Sequence, residues 1–268
     1  MSEWNFPNAA TPEGSGPYYV VRFAPRAQRD RLARVFAWHA ELMHIVERAN
    51  DPGVARVKVH WWREELQRCR DDTPRHPLAQ ALTPLLQELD DLQPWFDMLD
   101  ATEADVRRLQ PADAAEFADR CDRSGGALAE LLACTLGALD AQERQTARRL
   151  GGYFAAANRL RDLGPHLGRR YNPAPRQSLE KAQLHTAGLH EAEPARLAAA
   201  LDEALTPFAD RIGALPPASS RLRALAPARR LAAQAGALHR ELRRRGFPVL
   251  RHRVELTPLR LLWLSWRA

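Results

Sequence analysis

RAQRDRLARVFAWHAELMHIVER, Arg26 to Arg48, decides the fold of this 268-residue chain. Leu32, Val35, Phe36, His39, Leu42, Met43 and Val46 recur at the i, i+3, i+4, i+7 spacing that lines one face of an α-helix. Glu41, His44, Glu47 and Arg48 fall off that arc. Within WHAELMHIVER, Glu41 and His44 are i, i+3 neighbours, as are His44 and Glu47. Two readings of this polar cluster stay open: a solvated helix face with weak pairs, or a set of metal ligands. His39, on the apolar arc, reads as a core histidine satisfied by a hydrogen bond.

The same period runs outward through the chain. Ala, Leu, Arg, Glu and Gln dominate and β-branched residues are sparse. NDPG at 50–53 and DDTPRHP at 71–77 bracket a second helix, VARVKVHWWREELQRC. Further helices are expected near 78–90, 102–109, 112–122, 126–138, 141–163, 194–212, 220–245 and 258–267. Residues 164–178 read as a loop, and Pro216-Pro217 separates the two long helices. Residues 1–17 hold Pro, Gly, Asn and Ser and read as a flexible lead-in to one domain over 18–268. With no internal repeat, this is an all-α single-domain helical bundle.

Composition narrows the partners. The formal net charge is +6, nearly all of the basic charge being arginine. That balance suits nucleic acid, an anionic membrane or a phosphorylated small molecule. The Arg240–Arg253 cluster lacks interleaved aromatics, so no nucleic-acid partner is expected. Cys69, Cys121 and Cys134 are odd in number and show no CxxC spacing, which fits a reducing, cytoplasmic compartment. The N-terminus carries no secretory pattern, and no apolar run approaches the ~20 residues of a membrane span. PLRLLWLSWRA at the C-terminus is too short to span; its Trp263 and Trp266 suit peripheral membrane contact.

A second constellation is ANRLRDLGPHLGRRYNP, 157–173. Asn158, Arg161 and Asp162 fall on neighbouring turns of a helix end. His166 follows Asp162 at i+4, with Pro165 between them, and Arg169-Arg170-Tyr171 is a basic loop patch. Taken alone this reads as a capped helix end with loop arginines. Two helices that each carry a carboxylate and a histidine can also assemble a metal or diphosphate site when they face each other in a bundle. Magnesium prefers carboxylate and phosphate oxygens, whereas imidazole shifts preference towards transition metals.

Several stretches together resemble the squalene and phytoene synthases. SGPYYVVRFAPRAQRDRLARVFAWHAEL is similar to that family's opening, and DPGVARVKVHWWREEL with RHPLAQAL to its next helices. CDRSGGALAELLACTLG resembles its small-residue cavity helix, ANRLRDLG its second acidic motif, and ELRRRGFPVLRHRVELTPLRLLWLSWRA its end. The resemblance implies an isoprenoid-synthase fold around a central cavity. It also implies two prenyl diphosphates, Mg²⁺ held by two aspartate-rich motifs, and head-to-head joining of the prenyl chains. The metals neutralise a leaving diphosphate, and carboxylates hold the metals.

The chain departs from the family pattern where that chemistry sits. The Asp-Asp-x-x-Asp positions are Met43, His44 and Glu47, and Asp-x-x-x-Asp becomes Asp162 and His166. His239 stands where the family favours a tyrosine. Diphosphate-side residues remain, and the resemblance implies substrate contacts from Tyr18, Tyr19, Asn158, Arg161, Arg169 and Arg170. The mitochondrial complex I assembly factor related to phytoene synthase is similar in this loss, keeping the Glu41-Leu42 pattern and a comparable C-terminus. Two expectations follow. One is a non-catalytic or weakly active binding or assembly protein with no required cofactor, a prenyl diphosphate or lipid in its cavity and, for assembly, a protein partner. The alternative is an active prenyltransferase using Mg²⁺, or a transition metal held by His44, Glu47, Asp162 and His166.

Overall fold

The computed structural model describes residues 2–48, 51–89, 91–137, 139–213 and 220–268. Thirteen α-helices and no strand occur among the described residues. In chain order they are α1 (Gly16–Arg22), α2 (Arg29–Arg48), α3 (Pro52–Arg70), α4 (Pro77–Glu88), α5 (Gln93–Val106), α6 (Ala114–Cys121) and α7 (Ala127–Cys134). Then come α8 (Ala141–Arg161), α9 (Leu163–Gly168), α10 (Arg176–Lys181), α11 (Pro194–Gly213), α12 (Ala226–Arg244) and α13 (Pro258–Arg267).

Local chemistry sets these boundaries. Ser15, Asp51, Asp113 and Thr257 cap α1, α3, α6 and α13 with side-chain oxygens, and Asp140 forms a capping box with Glu143 at α8. Proline opens α1, α3, α4, α5, α12 and α13, where its missing N–H costs nothing. This corrects the helix expected at 102–109. It begins at Gln93, because Pro94 starts the helix instead of interrupting it. The expected loop 164–178 likewise contains α9 and α10; Pro165 sits in the first turn of α9, where a proline is tolerated. Asn50, the expected helix ends at 90 and 138, and Pro216-Pro217 lie outside the described residues.

Two apolar clusters fill the bundle. In the first, Trp38 of α2 packs edge-on against Trp62 of α3 at 4.7 Å and tilts against Trp95 of α5 at 5.7 Å. The second joins α8, α11 and α12 through Leu160, Leu201, Leu205, Leu238 and Leu242. Phe154 of α8 and Ile212 pack against both clusters, so the core is continuous. Residues 2–17 of the lead-in pack onto this core as well. Trp4 and Phe6 rest on the first cluster, Phe6 N–H donates to Asp30 at 3.0 Å, and Asn8 donates to the Ala33 carbonyl at 3.0 Å.

Helix α8 is the axis that positions everything functional. Between α6 and α7 the chain makes a single π-turn over Asp122–Gly126, in which Gly125 lies on Gly151 of α8, Gly126 on the Arg148 backbone, and Asp122 faces Gly152. At the edge of that contact sits Asp122, with one carboxylate oxygen buried and unpartnered. Burial pushes its pKa up to about 6, opposed by Arg211 and Arg148. Because the folded pKa exceeds the unfolded value of 3.8, the associated stability is fully present below 3.8 and lost as pH rises through about 6. Asp122→Asn removes that loss. The side chain is 26% exposed, so we expect the variant to gain only about 1–2 kcal/mol over the parent between pH 4 and pH 7. Urea unfolding at both pH values measures it; equal differences at the two would contradict the assignment.

Candidate functional site

The end of α8 divides two openings. The first is a groove of about 460 Å³, entered beside Gly14–Pro17 at the start of α1. Phe154, Asn158 and Arg161 of α8 form one wall, Gln234, Ala235 and Leu238 of α12 another, and Arg253, Glu255, Leu256, Pro258 and Leu261 the third. Its polar end is basic. Asp162, beneath that end, accepts from Arg161 Nε at 2.9 Å and Nη2 at 2.5 Å, and from Arg253 Nε at 2.7 Å. Burial alone would raise this carboxyl, but the two guanidiniums outweigh it and hold it down at about 2. The Asn158 amide donates to the Phe154 carbonyl at 2.7 Å, which fixes its side chain against α8.

The second opening is a cleft of about 270 Å³ between the end of α2 (Ile45, Val46, Glu47), the start of α3, the end of α5 and the α9 corner (His166, Gly168, Arg169, Tyr171). Its floor is a buried charge cluster. Arg159 of α8 grips both oxygens of Asp105, at 2.9 and 2.7 Å, and the Tyr171 hydroxyl donates to the same carboxylate at 2.8 Å. Burial works against the Arg159 charge, and Asp105 more than offsets it. Burial, followed by the Arg159 charge, pushes His166 down to about 4, and does the same to His39. Both imidazoles are therefore neutral at pH 7. The His166 ring lies edge-on to Tyr171 at 5.4 Å.

The expected site residues are therefore dispersed. Glu47, His166 and Arg169 share the cleft, whereas Asn158 and Arg161 line the groove, with Asp162 beneath it. Met43 packs against the first apolar cluster, and His44 stands 3.9 Å from Glu41 on the outer half of α2. Tyr18 stacks on Phe6 at 5.1 Å and meets Tyr19 edge-on; neither lines the groove. Arg170 is exposed, in a left-handed backbone conformation, and lines neither opening. The quartet His44, Glu47, Asp162 and His166 does not converge, and among the described residues no three His, Cys, Asp or Glu side chains form a metal-holding group. The reason is the helix break: Asp162 ends α8 and turns to Arg253, while His166, on α9, turns to Tyr171.

Neither metal expectation fits these donors. Magnesium wants several hard oxygens; Glu47 offers one carboxylate, and Asp162 is committed to guanidiniums. A transition-metal site needs three or four donors; Glu47 and His166 supply two, and the other acid of the cleft, Asp105, is committed to Arg159 and Tyr171. The partners that matter most here lie far apart in sequence, 54 residues for Arg159–Asp105 and 91 for Arg253–Asp162, beyond any local spacing. His239 is likewise absorbed into a buried chain: its ring bonds Tyr153 Oη at 2.9 Å and Asp202 at 2.8 Å. All three cysteines are free, and burial pushes the Cys121 thiol up to about 12.

Comparison with known proteins places this arrangement. The presqualene diphosphate synthase of Rhodopseudomonas palustris is 26% identical over 207 residues, covering 74% of this chain and 70% of its own length. A dehydrosqualene synthase solved in complex with a ligand superposes with a TM-score of 0.76 at 18% identity, covering 94% of this chain and 89% of that one. The squalene synthase HpnC of Alicyclobacillus acidocaldarius does so with a TM-score of 0.71 at 20% identity, covering 85% and 88%. The squalene/phytoene synthase family profile matches residues 12–260, and the chain belongs to that family.

Proposed function

We propose that this protein is a non-catalytic or weakly active member of the family that binds a prenyl diphosphate, or a lipid of like charge and shape, in the α1–α8–α12 groove. One observation carries this reading: the acid that survives from the second motif, Asp162, is clasped by Arg161 and Arg253. Arginine forks match phosphate oxygens in pairs, and a diphosphate entering at the basic end can take those donors over from Asp162. The tail then lies along Phe154, Leu238, Leu256 and Leu261. Charge neutralisation falls to guanidiniums, so binding does not require Mg²⁺. An assembly role with a protein partner is compatible with such a loaded groove.

Incubation with farnesyl and geranylgeranyl diphosphate plus Mg²⁺ tests the catalytic half. Squalene, phytoene or a cyclopropyl diphosphate among the products would overturn it. Calorimetry with and without EDTA tests the binding half: equal affinities are expected, and Arg253→Ala should weaken binding roughly tenfold, the loss of one charge-assisted pair.

The second reading is an active head-to-head prenyltransferase with a rewired metal site. It is supported by the likeness to a presqualene diphosphate synthase and by Glu47 and His166 sharing one cleft. Because Glu47 and His166 alone are too few donors, it requires further ligands from substrate or water, stoichiometric metal in the purified protein and its loss in His166→Ala.

A further inference from the structure

Residues 240–268 contain eight arginines and two glutamates, a formal +6 that equals the net charge of the whole chain. The preceding 239 residues are therefore balanced, and the excess charge is a local property of the last segment. Within it lies α13. Leu259, Leu262, Trp263 and Trp266 follow one another at i, i+3, i+4 and i+7, and all four are exposed, Leu259 at 76% and Trp266 at 69%. The opposite face is buried: Leu264 packs inward, and the Ser265 hydroxyl accepts from Gln234 at 3.0 Å.

This is not a loose tail with accidental exposure. Arg230 of α12 donates to the Ser265 carbonyl at 3.0 Å and to the carbonyls of Val20 on α1 and of Phe23, which caps that helix. Thr257 caps the N-terminus of α13. The helix is thus locked to α1 and α12 while presenting two large aromatics and two leucines to water. Arg267 lies over the Trp263 ring at 4.8 Å, and exposed Arg251, His252 and Arg253 sit just ahead of the helix. A Trp/Leu stripe rimmed by arginines has the composition of an interfacial helix.

We infer that the outer face of α13 docks this protein onto an anionic lipid surface, with Trp263 and Trp266 at headgroup depth and the flanking arginines on lipid phosphates. This assignment does not depend on what the groove holds. It does give the groove a direction, because Pro258 and Leu261 of the same helix line it. A docked α13 sets the groove beside the membrane, where a long apolar chain is found.

The test is co-sedimentation of the full chain with phosphatidylcholine vesicles, with or without phosphatidylglycerol. We expect binding to the anionic vesicles that weakens as salt is raised, and little to the neutral ones. Trp263→Ser with Trp266→Ser should lower the partition coefficient roughly tenfold or more, with an unchanged melting temperature because both rings are exposed. Arg251→Glu with Arg267→Glu should remove the preference for anionic lipid. The inference fails if the parent stays in the supernatant or the tryptophan variant pellets equally well. It also fails if light scattering shows a dimer that this variant splits, making a second copy the occupant. Binding to duplex DNA that competes with vesicles and survives the tryptophan changes would overturn it too.

Discussion

Arg159→Met unfolds at markedly lower urea than the parent, an expected loss of about 3–5 kcal/mol. The side chains of Arg159 and Asp105 are 10% and 4% exposed, and each oxygen of Asp105 faces a guanidinium nitrogen. Removing the guanidinium leaves a desolvated carboxylate whose remaining partner is the Tyr171 hydroxyl. A hydroxyl cannot replace a full positive charge at such depth. Adding Asp105→Leu should restore much of the loss, since a buried ion pair as a unit contributes little over apolar packing. A double variant no better than the single would show that the pair does more than neutralise itself. The same substitution has a spectroscopic signature. Arg159 helps to depress both His39 and His166, so their imidazole titrations, followed by NMR, should move up from about 4.

Gly151→Ala is expected to cost about 3 kcal/mol or more. A methyl there would overlap the Gly125 carbonyl oxygen and meet Ala129 Cβ at 2.5 Å. Both obstacles belong to packed backbone or to a side chain with no freedom to move aside, so α8 itself must shift. Since Asn158 and Arg161 ride on the same helix, ligand binding in the groove should weaken together with thermal stability. Gly188→Ala is the control: open space surrounds it, and the change should fall within about 0.5 kcal/mol of the parent. Equal melting temperatures for the two variants would mean that the π-turn yields easily.

How much of this was legible in the sequence follows from the range of each interaction. Apolar period places α2, α8 and α11 to within a few residues, because helix geometry is local. The start of α5 lies nine residues before the expected helix at 102–109, because a proline in a first turn opens a helix and leaves no local mark that separates it from one that breaks it. The family resemblance brought Met43, His44, Glu47, Asp162 and His166 into view as one set, but their dispersal depends on a helix restart at Leu163 that Pro165 disguises. Arg159 left a usable trace: it follows buried Ala155 and Ala156 at helical spacing and precedes buried Leu163 by one turn. A charge on an apolar arc demands a partner. Nothing in the spacing says that the partner is Asp105.

The clasp on Asp162 also bears on whether aspartates introduced at the motif positions could hold magnesium. Met43→Asp, His44→Asp and His166→Asp would each add a negative charge with no cation to receive it, whereas Glu47→Asp leaves the charge unchanged. Asp162 would stay unavailable throughout, since it already accepts four guanidinium contacts. Replacing Arg253 alone leaves Asp162 still clasped through both oxygens by Arg161. No single substitution therefore supplies the several free carboxylates that magnesium needs. A screen of reversion libraries should recover magnesium affinity only from clones that change both walls together.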